Sequence, residues 1–96
     1  MRRSKTISIS EAVDDYFKVM KLDTKLKEIG IINSWESIVG KAIAMKTTNI
    51  YIKNRVLYVY LSSSVVRNEL LMLREALCRK INEKAGADLI SEIILR

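Results

Sequence analysis

A chain of 96 residues, 49% of them hydrophobic, has room for one domain with a single modest core and not for two. Its 17 Lys and Arg residues outnumber 11 Asp and Glu, and the resulting net charge of +6 favours polyanionic partners. Because no apolar run approaches the roughly 20 residues of a membrane-spanning helix and the single cysteine cannot form an internal disulfide, we expect a cytoplasmic protein without a membrane partner.

The beginning of the chain predicts a basic arm followed by two helices. Residues 1–8 lack helical periodicity and are expected to form a flexible arm. Residues 11–20 carry apolar side chains at three- and four-residue spacing, which predicts an amphipathic helix. A second, short helix is expected at residues 24–29, with Asp23 as its cap and Gly30 ending it in the left-handed conformation.

A third helix is predicted from residue 35 to about residue 44. Asn33 and Glu36 have the spacing of a capping box, in which each side chain bonds a free backbone N–H at the helix start. Trp35 is expected in the core, with an exposed anchor for a partner protein as the alternative. Gly40 would let another backbone approach this helix closely.

The sequence period then changes from 3.6 to 2, which predicts a β-hairpin around Asn54-Arg55. Asn54 tolerates positive φ, but Arg55 is not the usual glycine, so a longer loop remains an alternative. Alternation along the strands divides the side chains between two faces. Ile50, Ile52, Leu57, Val59 and Leu61 are expected to face the core, and Tyr51, Lys53, Tyr58 and Tyr60 the opposite side.

The last third predicts one long helix and a final strand. The helix spans about residues 65–85, follows three serines that can cap it, and ends at Gly86. Its expected apolar stripe is Val66, Leu70, Leu73, Leu77 and Ile81. Residues 90–95 are rich in β-branched side chains and predict a strand, parallel to the second hairpin strand if the helix forms a crossover. Residues 9–96 are therefore expected to form one α+β domain, with helices covering one face of a sheet.

The sequence lacks the residues that most enzyme sites require. It contains no His, which excludes histidine-dependent acid–base chemistry and zincin sites, and one Cys, which excludes a thiolate zinc cluster. Its three glycines are too far apart for a phosphate-binding loop. Asp14 and Asp15 point about 100° apart on a helix and suit its positive end better than a metal. We expect no catalytic residue, metal or cofactor.

Basic and aromatic side chains suggest nucleic-acid binding instead. Tyrosine rings can stack on bases while Lys and Arg neutralise phosphates, although tyrosines are also common strand residues that pair across strands or lie under a second subunit. The basic face of the long helix has a similar alternative, a solvated surface. The candidate DNA-binding residues are Arg2, Arg3, Lys5, Tyr51, Lys53, Arg55, Tyr58, Tyr60, Arg67 and Arg74.

Three groups of short motifs follow one another along the chain: Trp35-Glu36-Ser37-Ile38-Val39-Gly40 with Ile43-Ala44 and Thr47, Val56-Leu57-Tyr58-Val59 with residues 62–66 and Glu69-Leu70, and Ile81-Asn82 before Gly86. In this order and spacing they resemble the DciA family of bacterial replication proteins. The resemblance covers residues 9–96 and implies a KH-like fold, cytoplasmic location, DNA binding and assistance to the replicative helicase. It assigns structural roles to Trp35, Gly40 and Leu70. The sequence has no Gly-x-x-Gly loop of the kind found in typical KH domains, and we expect the protein to lack the carboxy-terminal extension of longer relatives.

We therefore expect a non-enzymatic adaptor that binds single-stranded or forked DNA and assists the loading or activity of the replicative helicase. A homodimer is a further possibility. Two alternatives remain open at this point. One is a protein-interaction module without DNA binding, and the other is an RNA-binding KH-like protein.

Overall fold

The computed structural model describes residues 9–96, with side chains from residue 19 onward, so the predicted arm at residues 1–8 lies outside it. The described chain is α+β, as predicted, and is consistent with a KH-like two-layer domain. In chain order its elements are α1 (Ile9–Asn33), α2 (Trp35–Val39), α3 (Lys41–Met45), β1 (Thr47–Lys53), β2 (Val56–Leu61), α4 (Ser64–Met72), α5 (Arg74–Ala85) and β3 (Glu92–Leu95).

The first helix is continuous, so the prediction of two separate helices is wrong. Asp23 does not begin a new helix; its carboxylate pairs with the ammonium group of Lys27 one turn later, at 3.0 Å. Gly30 lies within the 25-residue helix α1 and does not end it. A helical glycine costs only about 1 kcal/mol relative to alanine, which a long helix packed at its carboxyl end can offset.

The predicted third helix is broken at Gly40 into α2 and α3. Gly40 has φ 94° and ψ 162°, a conformation that side-chain-bearing residues rarely adopt. The expected close approach of a second backbone is wrong, because a Cβ at Gly40 would meet nothing within 4 Å. The predicted capping box is also absent: Ser34 is the N-cap of α2, and its side chain makes no capping hydrogen bond.

The predicted hairpin is confirmed, and its strands are joined by the tight two-residue turn and not by the longer loop. β1 and β2 pair antiparallel, with Tyr51 opposite Tyr58. Asn54 and Arg55 have φ of 52° and 65°, which is the two-residue turn that matches the twist of the strands, so no longer loop is needed. β3 adds parallel to β2, which makes β2 the central strand and confirms the expected crossover through the helices.

The predicted long helix is divided at Leu73 into α4 and α5. Ser63 caps α4 by accepting a hydrogen bond from the backbone N–H of Val66 at 3.3 Å, and Gly86 ends α5 in the left-handed conformation, as expected. Leu73 itself is 56% exposed, so its predicted place in the apolar stripe is wrong. At the junction, Leu73 has φ −102° and ψ 8°, which is outside the helical range, so α4 and α5 are separate helices of the crossover.

The core lies between the inward face of the sheet and the helices. Leu57, Val59 and Ile81 are fully buried there. Trp35 is 5% exposed, which confirms the core prediction and excludes the exposed-anchor alternative; its indole N–H donates to the hydroxyl of Thr47 at 2.9 Å. No helix in the described part of the chain is both long and apolar enough to cross a membrane.

Candidate nucleic-acid interface

The outer face of the sheet carries the three tyrosines predicted there. Side chains alternate along β2, so Leu57 and Val59 point into the core while Tyr58 and Tyr60 point away from it. Tyr51 of β1 is 36% exposed on the same side. The predicted division into an apolar inner face and an aromatic outer face is therefore confirmed.

The ring of Tyr51 stacks on each of the other two tyrosine rings. The centroid of Tyr51 is 4.9 Å from that of Tyr58, with ring planes 18° apart, and 6.1 Å from that of Tyr60, with planes 24° apart. The hydroxyls of Tyr51 and Tyr60 lie 3.5 Å apart. The rings therefore make the cross-strand pairs considered as the alternative role, and together they form one aromatic surface on the side of the sheet opposite the core.

The Tyr51 phenol stays neutral over the physiological range. The hydrogen bond with Tyr60 is the main cause that raises its pKa above the ordinary value, followed by desolvation, while the positive charge of Arg96 opposes the shift. A neutral ring surface avoids repulsion between phenolate and phosphate. The opposing effect of Arg96 also identifies that guanidinium as a neighbour of the tyrosines.

Lys53 is the predicted cation that the structure brings to this face. It is exposed at the end of β1, two residues beyond Tyr51, so both side chains are on the same side of the strand. Arg55, at the turn, is instead paired: its Nη2 lies 2.9 Å from the Oδ2 of Asp88 and also donates to the Asp88 carbonyl at 3.3 Å. The field of Arg55 is thus partly neutralised.

The two predicted helix cations lie away from the tyrosines. Arg67 is half-buried on α4 and donates from Nη2 to the Leu61 carbonyl at 3.0 Å. Arg74, the first residue of α5, lines a cavity between α5 and β3 together with Glu92. Because the helix breaks at Leu73, these arginines do not form the single stripe that their seven-residue spacing predicts. Arg2, Arg3 and Lys5 lie outside the described residues.

Arg96 is the basic residue that the sequence analysis missed. Its backbone N–H donates to the Val59 carbonyl, and its carbonyl accepts from the Leu61 N–H, each at 2.9 Å, so it continues the parallel ladder beside Tyr60. Ile93 is buried, so alternation turns Ile94 and Arg96 outward. That same alternation, extended past residue 95, was the signal available in the sequence.

The described side chains offer no alternative metal or thiol site. Among them, no group of three His, Cys, Asp or Glu is close enough to hold a metal ion. Cys78 is half-buried, with its Sγ 3.7 Å from the Ile90 carbonyl. Burial, followed by the negative charge of Asp88, raises the pKa of its thiol, which makes it a poor nucleophile at neutral pH.

Comparison with protein families gives one match, which extends over residues 8–95 and is described as "Dna[CI] antecedent, DciA". The chain belongs to the DciA family. No curated protein matches it significantly. DciA proteins are associated with loading of the replicative helicase and are not known as enzymes, so this chain has a role in DNA replication.

The DciA motif positions have structural roles in this chain. Trp35 and Leu70 are buried in the core, and Gly40 supplies the backbone conformation between α2 and α3. None of the three reaches the outer face of the sheet. The fold of this chain therefore separates these three core and junction residues from the tyrosines, Lys53 and Arg96 on the outer face of the sheet.

Proposed function

We propose that this DciA-family chain binds single-stranded or forked DNA on the outer face of its sheet, and that it assists the loading or activity of the replicative helicase as an adaptor without catalytic activity. The observation that supports this most is the stack of Tyr51, Tyr58 and Tyr60 with Lys53 and Arg96 around it. Helicase contact would use a different face.

The chemistry of this face suits unpaired bases. Aromatic rings gain about 1–3 kcal/mol for each base stacked on them, and every base has a face that can stack. In a duplex the bases already stack on each other, so their faces are not open to the tyrosine rings. Single strands and the unpaired arms of forks should therefore bind more tightly than duplex at matched salt.

A protein-interaction module is the second candidate. It is favoured by a largely apolar cavity on the helical side, lined by residues of α2, α3 and both crossover helices, including Ile38, Val39, Ile43, Leu73 and Leu77. This cavity lies on the core side of the sheet, so protein binding there and DNA binding on the tyrosines need not compete. If this protein binds the purified helicase but does not bind DNA, the result would support the protein-interaction module and not the DNA-binding adaptor.

The test measures binding of the full chain to fluorescent single-stranded, duplex and forked DNA across salt, with and without purified replicative helicase. Replacing Tyr58 with Leu keeps an apolar strand residue but removes a ring, and we expect about tenfold weaker single-strand binding. Tyr51→Phe keeps the ring and should bind almost as the parent does. Equal affinity of Tyr58→Leu and parent for single strands would contradict the proposal, and preference for RNA would favour the RNA-binding alternative.

A further inference from the structure

The outer face has a charge arrangement that can orient a bound strand. Its residues form three rows across the sheet. Asn49 and Tyr60 form the first row, completed by Arg96; Tyr51, Tyr58 and Ile94 form the second; Lys53, Val56 and Glu92 form the third. The two cations therefore lie at diagonally opposite corners of the face, and Glu92 lies at a third corner.

Among residues 19–96, no carboxylate pairs with either cation of this face. The ion pairs among the residues whose side chains are described are Lys27 with Asp23 and Arg55 with Asp88. Lys53 and Glu92 end the same row, but Val56 of the central strand separates them by two strand spacings, about 10 Å. Lys53 and Arg96 are both exposed. Each is consequently available to a phosphate.

The spacing of these charges fits a short segment of single strand. From strand spacing and rise per residue, the diagonal between Lys53 and Arg96 is about 16 Å between backbones. The tyrosine stack lies along it. Sheet platforms of this kind stack about two or three bases. Because Tyr51 lies against both other rings, the ring faces of Tyr58 and Tyr60 that are turned away from it are where added bases would continue the stack.

We propose that a single strand crosses the sheet along this diagonal, with about two or three nucleotides over the tyrosines and with Lys53 and Arg96 each holding a phosphate. Glu92 repels the backbone from its own corner and so selects the diagonal over a path along β3. This inference rests on the proposed DNA binding. It adds Arg96 as a phosphate-binding residue and Glu92 as the residue that directs the path.

The proposed path predicts that binding depends little on the nucleotide sequence of the strand. The contacts are ring faces and phosphates, and ring faces stack on any base. Glu92 makes a local contribution, so removing its charge should strengthen binding more than removing the charge of an exposed helix carboxylate such as Glu83. A general effect of net charge would act equally at every exposed site on the protein, and this difference separates the two explanations.

The test uses the full chain and a fluorescent twelve-residue oligothymidylate, titrated at several salt concentrations. We expect Arg96→Gln to weaken binding about tenfold and to lower the log–log salt slope by about one unit. Glu92→Gln should tighten binding about threefold. Lys84→Gln is the matched control for Arg96→Gln, and Glu83→Gln is the matched control for Glu92→Gln. Each control removes one charge from an exposed helix position outside the sheet and should change affinity much less.

Two results separate this path from the function on which it rests. If the parent binds the oligonucleotide, and Arg96→Gln and Glu92→Gln each change affinity no more than their helix controls Lys84→Gln and Glu83→Gln do, the diagonal path is wrong while DNA binding stands. If the parent does not bind single strands, both the diagonal path and the proposed DNA binding are wrong. Thermal unfolding of each variant checks folding, and nuclear magnetic resonance signals of the tyrosine rings with added trithymidylate provide a readout that does not depend on the substitutions.

Discussion

Two neighbouring cations at the hairpin turn differ in what they contact. Lys53 is exposed and without a carboxylate partner among the described side chains, whereas Arg55 is paired with Asp88 at 2.9 Å. A cation already paired releases fewer counterions from DNA on binding, because its charge is partly compensated beforehand. Residues two positions apart in sequence thus have different electrostatic roles.

We therefore expect Lys53→Gln to lower the log–log salt slope of DNA binding by about one unit, as a lost phosphate contact does. Arg55→Gln should lower it by clearly less. Both slopes come from the same salt titration with single-stranded DNA. Equal changes for the two variants would mean that Asp88 releases Arg55 when DNA binds.

Asn82 fixes the segment that leads into β3. Its Oδ1 accepts hydrogen bonds from the backbone N–H groups of Leu89 and Ile90, at 2.9 and 3.0 Å, and its Nδ2 donates to the Ile90 carbonyl at 2.9 Å. One amide side chain therefore satisfies three backbone groups of a loop that has no ladder of its own. This gives a physical reason for an asparagine in the Ile81-Asn82 motif.

Removing this amide leaves the backbone N–H of Ile90 without a partner, whereas the Leu89 N–H also donates to the Ala87 carbonyl and the Ile90 carbonyl also accepts from the Cys78 thiol. We expect Asn82→Ala to lower the free energy of unfolding by about 1–3 kcal/mol, the cost of one unsatisfied buried group. Asn68→Ala, at an exposed position of α4, is the control and should change it by less than about 0.5 kcal/mol. Urea unfolding measures both. A similar small change at Asn82 would show that water replaces its bonds.

Gly30 and Gly40 should respond to alanine substitution in opposite directions. Gly30 lies inside α1 and Gly40 has φ 94° between α2 and α3, and a Cβ would meet no atom within 4 Å at either. Gly30→Ala should therefore stabilise the protein by up to about 1 kcal/mol through helix propensity. Gly40→Ala should destabilise it by about 1–3 kcal/mol through backbone strain.

Thermal and urea unfolding of the two alanine variants test this pair directly. Since a Cβ would clash at neither site, the difference in unfolding free energy between the two variants reports the effect of backbone conformation alone. Destabilisation at both positions would indicate that α1 is interrupted near Gly30 in solution, as the sequence pattern predicts. Unchanged stability at Gly40 would show that the α2–α3 junction can rearrange.

The elements that could be predicted are those with a strong period. The hairpin, its turn and its two faces follow from alternation, because a shift of one residue would expose Leu57 and Val59 to water. The helix boundaries were less predictable. From the sequence alone, Asp23 could either cap a new helix or pair with Lys27, and the ion pair forms because the helix continues through both residues. The break at Leu73 has no local sequence signal.

The candidate site was predictable in part for the same reason. Tyr51, Tyr58, Tyr60 and Lys53 lie on strands whose alternation is clear. Arg55 faces an acid 33 positions later in sequence, Asp88, and such a long-range pair is invisible before the fold is known. The position of Arg96 depends on the parallel pairing of β3, which adds a third strand to the outer face.

At the scale of the whole molecule, the sheet separates two surfaces. Helices cover the inner face and form the core with it, and the tyrosines occupy the outer face. The predicted arm with Arg2, Arg3 and Lys5 remains an expected set of phosphate contacts outside the described residues. Cytoplasmic location and a homodimer also stay predictions.

The position of Trp35 provides an optical consequence of this two-sided design. It is the single tryptophan, and it lies buried on the helical side, while the stacked tyrosines lie beyond the sheet. Emission from the indole should thus shift to longer wavelength on unfolding and stay constant when an oligonucleotide is added. Phenol emission should be quenched by bases stacking on the rings. One sample can therefore report folding and ligand occupancy in separate spectral bands, without an attached dye.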